Sequence, residues 1–247
     1  MGEKIYTIPV NDAFDKDSEC PICVMYNALE NDAIDFVMGP SYMEDDVRSE
    51  TDRLGFCRGH MQTLLEQRNK LGLALMLHTH TKKVIQDTEK MMKSPMKAKS
   101  LFKKAEDSPL VRHAEELENS CYICNRIQNV FGRYIATTLQ LYHSDKTFRE
   151  KYASCKGFCT THYGMLLKEG QKQLFGKEFE TFAETTNRLY IENMKRIEED
   201  LSWFIEKYDY RNINEPWKNA KDAIPRTATK VNSIYKEDTI VASRVSH

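Results

Sequence analysis

The sequence has no apolar run long enough to cross a bilayer. The longest, with glycine allowed, is Leu71 to Leu77, far short of the ~18 residues a spanning helix requires. The opening residues MGEKIYTIPVND hold no apolar segment of the secretory-signal kind. Tyr6 stands where N-myristoylation requires Ser or Thr. Net charge is nearly absent too: 36 Lys and Arg face 37 Asp and Glu, so no overall field draws the chain to nucleic acid or to a membrane surface. The motifs Gly-x-Gly-x-x-Gly, Walker, His-Glu-x-x-His and Gly-x-Ser-x-Gly are all missing, which leaves the familiar enzyme chemistries without a foothold. Strand-like alternation is scarce. These absences predict a cytoplasmic, mainly α protein with neither a membrane nor nucleic acid as partner, and the reading leans away from an enzyme.

What is present is cysteine, in an odd number, seven in 247 residues. A chain of this size does not depend on disulfide staples, and cytosolic cysteines serve more often as metal ligands, redox groups or core residues. Their positions repeat. Cys20-Pro-Ile-Cys23 is followed by Gly55-Phe56-Cys57-Arg58-Gly59-His60, and Cys121-Tyr-Ile-Cys124 by Gly157-Phe158-Cys159-Thr160-Thr161-His162. The offset is 101 residues at the Cys pairs and 102 at the Cys/His pairs, the signature of an internal duplication with one inserted residue. Cys155 has no counterpart and is read as a spare.

Around these motifs the apolar residues recur at helical spacing. Ile22, Met25, Tyr26, Leu29, Ala33, Phe36 and Val37 form one stripe that Gly39-Pro40 stops. Ser41-Tyr-Met-Glu44 reads as a capping box opening a short acidic helix that Gly55 can end. A long helix is expected from His60 to Met92 with Leu64, Leu65, Leu71, Leu75 and Met76 inward, ended by Ser94-Pro95. Ile127 to Tyr142 and Phe179 to Tyr208 mark two more. Beyond Asn212 no apolar stripe continues. The expected organisation is a helical bundle of two duplicated halves, 1–96 and 97–211, followed by an extended or partly disordered tail, 212–247. The stretch Thr81 to Lys104 is basic and Asn11 to Glu50 acidic, both read as solvated faces. Tyr208-Asp209-Tyr210-Arg211 and Glu215-Pro216-Trp217 read as an aromatic end packed on the bundle.

Each half offers three thiols and one imidazole: Cys20, Cys23, Cys57 and His60 in the first, Cys121, Cys124, Cys159 and His162 in the second. Two ligands separated by two residues bend onto one ion, and the distant pair closes a tetrahedron, so a Cys3His zinc site is expected within each half. Gly55 and Gly157 allow a tight turn before the ligand, and Phe56 and Phe158 can shield the sulfurs. Two Zn2+ per chain is the first reading; a 4Fe–4S cluster with one His ligand is the alternative. A closed four-ligand zinc site argues for structure, whereas a cluster argues for electron transfer or sensing. Neither c-type haem nor a thioredoxin-like redox pair fits, because Val24 and Asn125 follow the Cys pairs and a βαβ context is lacking. His78 and His80 are two apart and point to different faces of a helix, a poor chelating pair.

With these residues in view the chain resembles an uncharacterised family of anaerobic bacteria, domain of unknown function 6062. The likeness rests on IYTIPVNDAF, the two Cys-x2-Cys and Gly-Phe-Cys-x2-His elements, LGLALMLHTH and DYRN…EPWKNAKDA. It implies no activity and no catalytic residues; it does imply an anaerobic cytoplasm in which an iron–sulfur cluster survives. The two functions that follow are a non-enzymatic interaction or regulatory module, with a homodimer or another protein as partner, and an iron–sulfur redox protein or enzyme.

Overall fold

The computed structural model describes residues 4–93 and 108–235. Among them are eleven α-helices and no strand: α1 (Thr7–Asp15), α2 (Pro21–Met38), α3 (Asp45–Leu54), α4 (Arg58–Glu66), α5 (Lys70–Met92), α6 (Pro109–Asn119), α7 (Tyr122–Ser144), α8 (Lys146–Ser154), α9 (Thr160–Gln173), α10 (Lys177–Glu206) and α11 (Ala223–Asn232). The mainly α class read from the sequence is the class of the protein. No described helix is long and apolar enough to cross a membrane.

The chain divides into two compact units, Met1–Ala28 with Val130–His247, and Leu29–Asn129. The division falls inside α2 and α7. The first unit is built on aromatic rings. Phe14 of α1 lies edge-on to Phe148 at 5.0 Å, Tyr152 of α8 meets Phe158 at 5.1 Å, and Tyr142 of α7 meets Phe182 of α10 at 5.0 Å. Rings at these separations and tilts gain electrostatic attraction beyond the area they bury. The buried Tyr152 hydroxyl is matched by Thr186 Oγ1 at 2.8 Å, so its burial leaves no polar orphan. The second unit has an aliphatic core of Ile34, Val37, Val47, Leu64, Leu73, Met76, Ile123 and Ile127. Its α6 buries no residue at all.

Three local expectations change in the structure. The stretch 60–92 is two helices, because Asn69 caps α5 by accepting the Gly72 N–H at 2.9 Å while donating to the Met38 carbonyl at the end of α2. Leu64 and Met76 are buried as expected, but Leu65 and Leu71 point to solvent. The capping box does not close: Ser41 turns back to donate to the Phe36 carbonyl, and no side chain caps α3. The end expected at Ser94-Pro95 lies outside the described residues. Finally, the segment after Asn212 carries α11, packed through Ala223, Arg226, Thr229 and Lys230, with the preceding Ala220 also buried. Its inward face is polar or small, which is why no hydropathy stripe announced it. Trp217 packs on Phe204 with centroids 5.7 Å apart, whereas Tyr208 and Tyr210 stay exposed.

Candidate metal centres

Four helices begin at a cysteine. Cys57 and Cys159 are the N-caps of α4 and α9, and Cys20 and Cys121 immediately precede α2 and α7. The free N–H groups and positive end of a helix favour a thiolate there. Cys159 Sγ accepts the His162 N–H at 3.4 Å, and Cys121 Sγ accepts the Cys124 N–H at 3.5 Å. A spacing of three places the second residue of each motif one helical turn on, beside the first. Gly55 and Gly157 precede the two Cys/His motifs with φ of 57° and 74°. A Cβ on Gly157 would lie 2.7 Å from the Leu189 carbonyl oxygen, so this turn requires glycine.

All eight cysteines and histidines expected as ligands come together, in two groups of four whose ligand atoms lie within 4.8 Å of one another. The grouping differs from the expectation of one site within each sequence half. Cys20 and Cys23 join Cys159 and His162, while Cys57 and His60 join Cys121 and Cys124. The helices that follow the Cys pairs are longer than the next ones in the chain: α2 has 18 residues against 10 in α3, about 27 Å of rise against about 15 Å, and α7 has 23 against 9 in α8. Each Cys pair closes with the Cys/His pair of the other half. Every member of a group lies inside one compact unit. Cys155 belongs to neither group.

In the first group His162 Nδ1 lies 3.6, 3.4 and 3.2 Å from the sulfurs of Cys20, Cys23 and Cys159, and Cys23 and Cys159 are 3.6 Å apart. All four residues are buried, and Phe131 packs beside the imidazole at 5.6 Å. In the second group His60 Nδ1 is 3.3 Å from Cys57, 3.3 Å from Cys121 and 3.4 Å from Cys124, with Cys57 and Cys124 3.9 Å apart. Here Cys57 and Cys124 are only half-buried. A tetrahedral ion with Zn–S near 2.3 Å and Zn–N near 2.0 Å sets sulfurs about 3.8 Å apart and sulfur and nitrogen about 3.5 Å apart. The donor sets fit such an ion.

Crowding the thiols forces protons to be shared. Hydrogen bonds from Cys20 and Cys23, joined by His162, hold Cys159 well below the usual thiol range. Its hydrogen bonds to Cys159 and Cys20, together with burial, push Cys23 far up. Burial opposes a charge on Cys121, but His60 brings it down to about 6. Burial likewise opposes protonated imidazoles, yet the sulfurs raise His60 to about 10 and His162 to about 9; Glu30 adds to the effect at His60. Each group is a cluster of shared protons and thiolate charge that a divalent cation can take over by displacing protons.

Several functional neighbours carry no recognisable signal in the sequence. Glu30 Oε1 lies 3.0 Å from His60 Nε2 and holds the imidazole in its orientation, as an outer carboxylate does for a histidine that binds a metal. At the first group, Ser233 Oγ lies 3.1 Å from Cys159 Sγ. Lys230, fully buried, donates to the Glu19 carbonyl at 2.6 Å, next to Cys20. Glu19 itself is buried among Arg196, Arg226 and Lys230, and Arg226 also pairs with Asp200 at 2.8 Å and Asp222 at 2.7 Å. At the second unit His80 Nδ1 bonds the Asp52 carbonyl at 2.8 Å. It lies over Gly55, where a Cβ would come within 2.6 Å of its ring. His78 is exposed. Neither histidine belongs to a ligand group.

The fold and these sites define an all-α protein with two Cys3His groups able to hold metal ions. The chain belongs to a family of unknown function, DUF6062, whose model matches residues 1–238. No curated protein and no solved structure matches it.

Proposed function

We propose that the protein is a cytoplasmic, non-enzymatic interaction or regulatory module whose two Cys3His groups each hold one structural zinc ion. The observation that carries this reading is the spacing of the donor atoms. Sulfur–nitrogen separations of 3.2 to 3.6 Å and sulfur–sulfur separations of 3.6 and 3.9 Å fit ligands of a single tetrahedral ion. In a cubane each ligand binds a different iron, which spreads the donors further apart. Four protein ligands fill the coordination shell of zinc, leaving no position for an activated water; this supports a structural rather than a hydrolytic role. The partner surface we favour is the end of α10 and the turn beyond it. Ile205, Tyr208, Tyr210 and Ile213 are each at least 66% exposed there, an apolar surface suited to another protein or a second copy.

Metal analysis with an absorption spectrum, on protein purified without oxygen, tests the reading. Two equivalents of zinc in a colourless protein are expected. Brown protein with iron in place of zinc would overturn it and leave the redox reading.

A further inference from the structure

The final turn of α11 sits on the first metal group and touches both of its ligand pairs. Lys230 Nζ donates to the carbonyls of Glu19, the residue before Cys20, and of Lys156. Thr160, the residue after Cys159, donates its hydroxyl to the Lys230 carbonyl at 3.2 Å. Ser233 places its hydroxyl 3.1 Å from Cys159 Sγ and 2.9 Å from Thr161 Oγ1. In the structure the Ser233 hydroxyl donates to Thr161 Oγ1; a thiolate only accepts, so a metal-bound Cys159 would take that O–H and leave Thr161 to donate to Ser233.

The backbone at Ser233 adds an independent observation. It ends α11 in the left-handed region, φ 59° and ψ 21°, the place where helices ordinarily carry glycine because a side chain is strained there. Serine at this position gives up conformational ease and gains a hydroxyl that reaches Cys159. Strain of this kind persists where the surroundings hold it in place. The surroundings here are the contacts of Lys230, which is fully buried, and of Thr160 and Thr161.

We infer that α11 is a latch on the first metal centre, with Ser233 the outer hydrogen-bond donor to the Cys159 thiolate and Lys230 the anchor, so that the ion there leaves only when α11 undocks. This rests on the metal reading above. Among the described residues the second group is less covered: Cys57 and Cys124 are half-buried, and its outer partner Glu30 lies on α2. One chain therefore holds a locked ion and an exchangeable one.

The test uses the full chain loaded with zinc and mixed with excess 4-(2-pyridylazo)resorcinol, following zinc release. Two phases of one equivalent each are expected, and Cys124→Ser leaves only the slow one. Ser233→Gly keeps the left-handed backbone while removing the hydroxyl, so the fold is retained. It should speed the slow phase about tenfold, in keeping with the 10–100-fold effects of outer-shell partners, and leave the fast phase unchanged. Lys230→Met should speed the same phase further. Release in one phase, or a slow phase unmoved by both substitutions in protein that still binds two zinc ions, would overturn the latch. A chain that takes up no zinc would overturn the latch and the metal reading together.

Discussion

Cys20, Cys23, Cys159 and His162 are all buried, next to α11, inside a unit cored by six aromatic rings. Cys57, His60, Cys121 and Cys124 have the same donor set, but two of the thiols are half-buried, the core of their unit is aliphatic, and α6 has no buried residue. The comparison separates two roles for one chemistry. Where packing is already strong, a bound ion would add rigidity to a structure that other contacts hold. Where packing is thin, a bound ion would carry much of the stability itself.

The largest effect should follow loss of the second ion. Structural zinc contributes about 10–16 kcal/mol in small peptides, as much as the roughly 5–15 kcal/mol of a whole domain. Cys124→Ser should therefore abolish protection of amides in α3 to α5 in hydrogen exchange, while α9 and α10 stay protected. Equal loss in both units would erase the distinction. Next comes the anchor of α11. Lys230→Ala leaves Glu19 with Arg196 and Arg226 but removes the buried ammonium's hydrogen bonds to the Glu19 and Lys156 carbonyls, and a hydrogen bond to a charged group is worth roughly 1.5–3 kcal/mol. Urea unfolding should show that loss, and truncation after Asn212 should also lower Tm; an unchanged Tm would mean α11 does not dock.

Glu30→Gln should weaken the second ion about 10–100-fold and leave the first untouched, as read by competition with a chelator of known affinity. The smallest contrast is between two histidines. His78→Ala should fall within about 0.5 kcal/mol of the parent, as an exposed substitution does. His80→Ala loses the bond to the Asp52 carbonyl and should cost about 1 kcal/mol. Thermal melts of the two variants decide it.

Much of this was readable from residue spacing. The stripes ending at Gly39-Pro40 and running from Phe179 to Tyr208 became α2 and α10, and the eight cysteines and histidines that gather in two groups were legible as Cys-x2-Cys and Cys-x2-His. Their pairing was not, because motif spacing says which residues can chelate but not which distant pair closes each group: Cys20 and Cys23 meet Cys159 and His162, and Cys159 lies 136 positions beyond Cys23. Nor was α11 legible, since it buries Ala223, Arg226, Thr229 and Lys230, a face that hydropathy scores as a loop. Lys230 is buried only because Glu19 and two carbonyls receive its charge, and no local pattern reports a partner 211 residues away.

The exchanged pairing is the central claim, and two double variants test it directly by zinc content. Cys23→Ser with Cys159→Ser removes two ligands of one group and should leave one zinc per chain. Cys23→Ser with Cys57→Ser damages both groups and should leave none. The reverse result, no zinc in the first and one in the second, would mean that each half closes its own site and would contradict the account.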